Sequence, residues 1–110
     1  MRRNNLNIFD KSIIYFPIAL DNHWSLCVAF SPAKVVGLDS SGTSYGTNEV
    51  PVIIHLDSLQ LHQSAMIAKN IRMFFSYVWH IINPGSVFKF TKTNYPVICP
   101  EGMSFFFTLL

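Results

Sequence analysis

Leu20-Asp21-Asn22-His23-Trp24-Ser25-Leu26 and Ile53-Ile54-His55-Leu56-Asp57-Ser58-Leu59 are the two stretches that decide how this chain folds. In the first, a histidine stands at the mouth of an apolar run. In the second, an aspartate stands at the exit of another. If the two runs pair as antiparallel strands, the imidazole and the carboxylate come side by side. A base held by its orienter is two thirds of a nucleophilic triad.

Asp21-Asn22 is turn chemistry. After it, residues 24–30 alternate: Trp24, Leu26, Val28 and Phe30 take one face, and His23, Ser25, Cys27 and Ala29 take a smaller, more polar one. Residues 50–56 are nearly continuous in apolar side chains, as a central strand should be. Counting outward from the 31–49 connection, Phe30 faces Val50, Trp24 faces Leu56, and His23 faces Asp57. Directly opposed side chains stand about 5 Å apart at Cβ, within reach of a carboxylate–imidazole hydrogen bond. Asp39 is the rival carboxylate, because a turn at 31–33 would bring it opposite His23 instead. Gly37 weakens the strand that leads to it, and this favours Asp57. By spacing alone, a histidine beside a tryptophan is more often a packed or surface pair than half of a catalytic couple.

Around this pair the spacing predicts an α+β fold. Residues 12–20 (SIIYFPIAL) form a third strand, with Pro17 placing it at an edge or near its own end. Ser31-Pro32 ends the second strand, Val35-Val36 reads as a short strand or as part of the same excursion, and 39–49 reads as an exposed loop. From Ser64 the period changes to three and four, through Ile67, Ile71, Phe74, Phe75 and Val78. Lys69, Asn70, Arg72 and Ser76 fall away from that face. Ser64 serves as N-cap, and Asn83-Pro84-Gly85 stops the helix. The expected architecture is a small antiparallel sheet of 12–20, 24–30 and 50–56 packed by one amphipathic helix, 64–82. Beyond it, 87–90 and 95–99 are strand candidates, the second weakened by Pro96 and Pro100. The apolar 103–110 reads as a buried strand or a sticky tail.

Composition narrows the class. With 110 residues there is room for one small domain. A hydrophobic share of 50% excludes a disordered segment and points to a chain that is part of something larger or that buries surface in a complex. The net charge is +2, and the eight basic residues are spread out, so no stripe exists to grip nucleic acid. No apolar run of about 18 residues occurs, so no membrane span is expected. The N-terminus lacks the apolar stretch of a signal peptide. The two cysteines, Cys27 and Cys99, form neither a disulfide framework nor a zinc motif, which fits a reducing compartment, nuclear or cytoplasmic. His55, Asp57 and His62 invite a metal reading, but no ligand motif supports it, and neither metal nor cofactor is expected. Ser58 lacks a nucleophile elbow, and no phosphate-binding glycine loop exists. Residues 40–47 could be phosphorylated, though an exposed spacer is the simpler account.

The order of motifs resembles the central part of the ubiquitin-like-protein protease family, cysteine peptidases that process and remove small ubiquitin-like modifiers (SUMO). The matching residues are Asn7-Ile8-Phe9-Asp10-Lys11 with Ile13–Ile18, Asn22-His23-Trp24-Ser25-Leu26, Ile53–Leu59, Leu61-His62-Gln63-Ser64, and Ile67–Trp79. The resemblance runs over 6–80. It implies a fragment of a papain-like domain over 1–82, with 83–110 a divergent tail that it does not place. It implies His23 as general base, Asp57 as its orienter, and Trp24 as the aromatic over the substrate's Gly-Gly tail. It also implies a SUMO-like modifier and its conjugates as partners. The helix falls at the family's distance after Asp57, not after Asp39. One part is missing: the family's nucleophile lies after the helix in a Gln…Asp-Cys-Gly box. Here Cys99 is followed by Pro100, and both glutamines, Gln60 and Gln63, precede the helix. The chain therefore reads as a SUMO-type isopeptidase or a truncated fragment of one, with a non-catalytic, modifier-binding remnant as the alternative.

Overall fold

The computed structural model describes residues 7–37 and 50–100. Asp39, the 39–49 loop and the 103–110 tail lie outside the described residues. A single 3-10 turn, Ile8–Asp10, opens the fold, and the Asn7 side chain accepts from the Phe9 N–H at 2.9 Å. Strands β1 (Ile13–Leu20) and β2 (His23–Phe30) form a hairpin that closes at Leu20↔His23. Its two turn residues, Asp21 and Asn22, have φ of 54° and 58°. Two successive left-handed residues make the turn whose twist matches the flanking strands, and short Asx side chains tolerate that region best. His23 is thus the first residue after a rigid reversal.

The connection to β3 is not all loop. Ser31, at φ 51°, turns the chain, its N–H still bonds to Ser12 O at 2.7 Å, and Pro32 starts the short helix α1 (Pro32–Val36). Pro32 sits at the helix start, where its missing N–H costs nothing. This corrects the strand reading of Val35-Val36: Val35 is buried in the core from a helix.

Strand β3 (Val52–Leu56) pairs antiparallel with β2, in the register Phe30↔Val52 to Leu26↔Leu56. The expected register, Phe30 against Val50, is off by two residues. Pro51 precedes the strand instead of joining it, since proline brings no ladder donor. An even shift leaves every side chain on its expected face, where a shift of one would have inverted the strand. The sheet order is β1-β2-β3-β4, with a two-residue β4 (Val97–Ile98) parallel to β3. The expected antiparallel sheet is therefore a small mixed sheet, and the α+β class holds. A parallel neighbour needs a crossover, and helix α2 (Ser64–Ile82) provides it.

Helix α2 covers the small-residue face of the sheet. Cys27, Ala29 and Ile53 meet Ile67, Ala68, Ile71 and Phe75, and Ile14, Phe16 and Ile18 close in from β1. Burying one such large side chain contributes about 1.5–3 kcal/mol. The opposite face, which carries Tyr15, Trp24, Leu26, Val28 and Ile54, has no helix over it among the described residues. Trp24 there is 70% exposed, which rules out a core role for this indole.

Arg72, expected on the solvent side, is only 7% exposed. Its Nε–H donates to Tyr95 O at 2.6 Å. Ser76, also expected outside, accepts from the Phe90 N–H at 2.9 Å. The reason is the segment after the helix. Residues 83–96 run back along α2, insert Phe90 and Tyr95 into the core, and place the Tyr95 hydroxyl as donor to Phe30 O at 3.0 Å. Of the strand candidates there, 87–90 forms no ladder, and 95–99 shortens to Val97–Ile98 between its prolines.

Candidate active site

The start of β2, the end of β3 and the start of α2 meet at one edge of the core. His23 and Asp57 are not directly opposed, since the register carries Ser25 to the level of Asp57. They are diagonal neighbours on one face, a spacing that long side chains bridge. His23 Nε2 lies 2.6 Å from Asp57 Oδ1, a length typical of a charge-assisted hydrogen bond. Asp57 Oδ2 accepts from the His62 backbone N–H at 2.7 Å. Burial alone would raise the pKa of the Asp57 carboxyl. The hydrogen bonds from the His23 side chain and the His62 backbone, with the nearby imidazoles, outweigh that and hold it below the usual carboxylate range. Asp57 is thus an anion, 2% exposed. The His23 side chain is 12% exposed. With Nε2–H donating to the carboxylate, the lone pair sits on Nδ1, which carries no hydrogen bond among the described residues.

A second layer of polar groups lies under this pair, on the face expected to be the smaller and more polar one. Ser25 Oγ is 2.9 Å from His55 Nε2 and 2.7 Å from His62 Nδ1. His55 Nδ1 is 2.5 Å from Ser64 Oγ, and His62 Nε2 is 3.0 Å from Leu20 O. Ser64 therefore spends its hydroxyl on His55, and Gln63 occupies the cap position expected of Ser64. Burial pushes the His55 pKa down, so this ring is neutral. The sequence placed Ser25, His55 and His62 in the stretches that carry the family resemblance and offered the two histidines as metal candidates, but gave none of the three a hydrogen-bonding role. A signal was available: Ser25 and His55 alternate with core residues on the buried face, and a buried polar side chain must find a partner.

His23, Asp57 and His62 present donor atoms within 4.8 Å of one another. Both His62 nitrogens are already engaged, by Leu20 and Ser25. A cation at this place would have to break one of those bonds, and protein-to-protein hydrogen bonds satisfy the donors without it.

Neither cysteine stands out as a nucleophile. Cys27 is fully buried, and burial, with the Cys99 thiol second, pushes its pKa up to about 12. A thiol in that state is inert. Cys99 is exposed and follows β4 directly. Trp24 directly follows His23 in the strand and is exposed on the face away from α2.

On a small α+β scaffold, a buried carboxylate thus bonds a largely buried imidazole whose second nitrogen carries no hydrogen bond among the described residues. The chain matches the Ulp1 protease family, C-terminal catalytic domain, over residues 1–84, and it belongs to that family. It is similar to ubiquitin-like-specific protease 1D of Arabidopsis thaliana, at 36% identity over 71% of this chain and 12% of the relative. Ubiquitin-like-specific protease 1C of the same plant is 39% identical over 70% of this chain and 12% of the relative. The probable ubiquitin-like-specific protease 2A is 33% identical over 57% and 8%. The chain thus spans about an eighth of the first two relatives' length. No helix among the described residues is long and apolar enough to cross a membrane.

Proposed function

We propose that this chain carries the base–orienter half of a thiol-dependent SUMO-type isopeptidase, in a fragment of a papain-like domain spanning 1–82. The observation that carries the reading is the 2.6 Å contact between His23 Nε2 and Asp57 Oδ1, with no hydrogen bond to His23 Nδ1 among the described residues. His23 takes the proton of a thiol on Nδ1. The thiolate attacks the C-terminal glycine carbonyl of the modifier, and His23 passes the proton to the departing lysine amine. Asp57 holds the ring in the Nε2–H tautomer and stabilises the imidazolium that forms. Trp24, exposed beside His23, offers an indole surface over a glycine tail, and side-chain-free residues fit beneath it where bulkier ones do not. A nuclear or cytoplasmic setting suits such a thiol chemistry.

A second reading has its own support. Cys27 is inert, and residues 83–110 hold no Gln…Asp-Cys-Gly box, so the chain can be a non-catalytic remnant that binds a modifier. One experiment separates the two: incubation with SUMO bearing a thiol-reactive C-terminal warhead. Labelling at Cys99 that disappears in His23→Ala supports the enzyme. Binding of the modifier without labelling supports the remnant. Absence of both overturns the two readings together.

A further inference from the structure

We infer that His62 is a positioning residue for the His23–Asp57 couple, fastening the loop that carries Asp57 to the hairpin that carries His23. The inference rests on the peptidase reading for its purpose, but not for its geometry. The couple comes from two separate elements: His23 from the β1–β2 hairpin, Asp57 from the turn after β3, where Gln60 N–H bonds back to Asp57 O at 3.0 Å. His62 holds both. Its backbone N–H donates to Asp57 Oδ2, and its ring nitrogen Nε2 reaches the carbonyl of Leu20, the residue paired with His23 across the hairpin. The His62 ring also packs edge-on against the His23 ring, with centroids 4.7 Å apart.

The polar chain behind His62 sets its proton. A carbonyl only accepts, so His62 Nε2 carries the hydrogen. In a neutral ring Nδ1 is then an acceptor, and the Ser25 hydroxyl donates to it at 2.7 Å. Ser25 Oγ accepts in turn from His55 Nε2–H at 2.9 Å, which leaves His55 Nδ1 to accept from the Ser64 hydroxyl. The chain runs in one direction, from the first residue of α2 to the end of β1. Three of its four side chains, Ser25, His55 and His62, are buried. A residue that grips both halves of the couple, in one tautomer enforced by its own partners, keeps the imidazole aimed while Nδ1 exchanges protons.

The test is nitrogen-15 NMR on the full 110-residue chain at neutral pH. In the unmodified protein, His62 shows a protonated Nε2 and a bare Nδ1, and the His23 Nε2–H gives a downfield, exchange-protected resonance. A His62 ring protonated on Nδ1 overturns the assignment without any variant. In His62→Ala, which keeps the backbone donor to Asp57, the His23 proton exchanges about ten-fold faster or more. His62→Gln, whose amide N–H can reach the Leu20 carbonyl, restores protection. A folded His62→Ala chain with an unchanged His23 resonance overturns the proposal. If His62→Ala does not fold, Ser25→Ala decides: it frees the His62 tautomer, and faster His23 exchange supports the proposal while unchanged exchange refutes it. A chain that passes these tests but captures no modifier fails the peptidase reading alone.

Discussion

His55, in β3, and Asp57, in the turn just after it, are buried ionisable groups, and each couples stability to pH in the same direction. The folded carboxyl of Asp57 sits below its unfolded value, so its contribution is present above about pH 4 and is lost as pH falls through the folded value. The folded His55 is held neutral below its unfolded value, so its contribution is present above about pH 6.5 and is lost as pH falls from there to the folded value. Urea denaturation across a pH series should therefore show an acid decline in two steps. His55→Gln should remove the upper step, and Asp57→Asn the lower one. At neutral pH Asp57→Asn should cost about 1.5–3 kcal/mol, the range for hydrogen bonds to a buried charge. A stability curve flat from neutral to pH 5 would contradict the His55 assignment. At this scale the sequence made the His23–Asp57 meeting legible through parity alone, because both residues fall on the same face of their strands. It did not reveal Ser25 or His62 as partners. Their roles depend on three-dimensional neighbours from β1 and α2, and no local spacing encodes that.

Among the elements, α2 and the segment that returns along it are one unit. Tyr95 and Phe90 fill the core against Phe75, with Phe75–Tyr95 and Phe75–Phe90 ring centroids both 5.7 Å apart. Tyr95→Ala should cost about 3–5 kcal/mol, as for other large buried aromatics. Arg72→Ala should cost about 1–3 kcal/mol by leaving the buried Tyr95 carbonyl without its donor. Lys69→Ala, one turn away and exposed, should stay within about 0.5 kcal/mol. Chemical denaturation of the three variants checks the order. The helix itself was readable to its ends, because a three-and-four period and an Asn-Pro-Gly stop are strong local signals. What faced it was not. A single amphipathic face was expected, but Arg72 and Ser76 turn inward to meet backbone groups of residues 83–96. Two-residue β4 was legible only as the longer candidate 95–99: its pairing with β3 is set by the crossover, and the prolines on both sides trim it.

For the whole molecule, the two sides of the sheet are unequal. One is sealed by α2, and the other presents Trp24, Tyr15, Ile13 and Ile98 to solvent. Trp24→Ala should leave the melting midpoint and the denaturation free energy unchanged within about 0.5 kcal/mol, since so little of the indole is buried. The same variant should lose capture of the SUMO warhead probe. A large loss of stability would show that Trp24 is a packing residue. Alternation predicted the separation into two faces correctly, but it could not say which one the helix would cover, because residue size pulled one way and polarity the other. Pro17 bears on how such a lopsided molecule stays dispersed. It lies in β1, the outermost strand, opposite Leu26. The two-residue reversal makes Leu20↔His23 a bonded pair, so alternation makes Pro17↔Leu26 an unbonded one, and the proline nitrogen points away from the sheet. The missing hydrogen thus costs the fold nothing and leaves a gap in the row of donors that a stray chain would need in order to zip on. Replacing that ring with valine would mend the row, and the expected result is a protein that clouds sooner on standing.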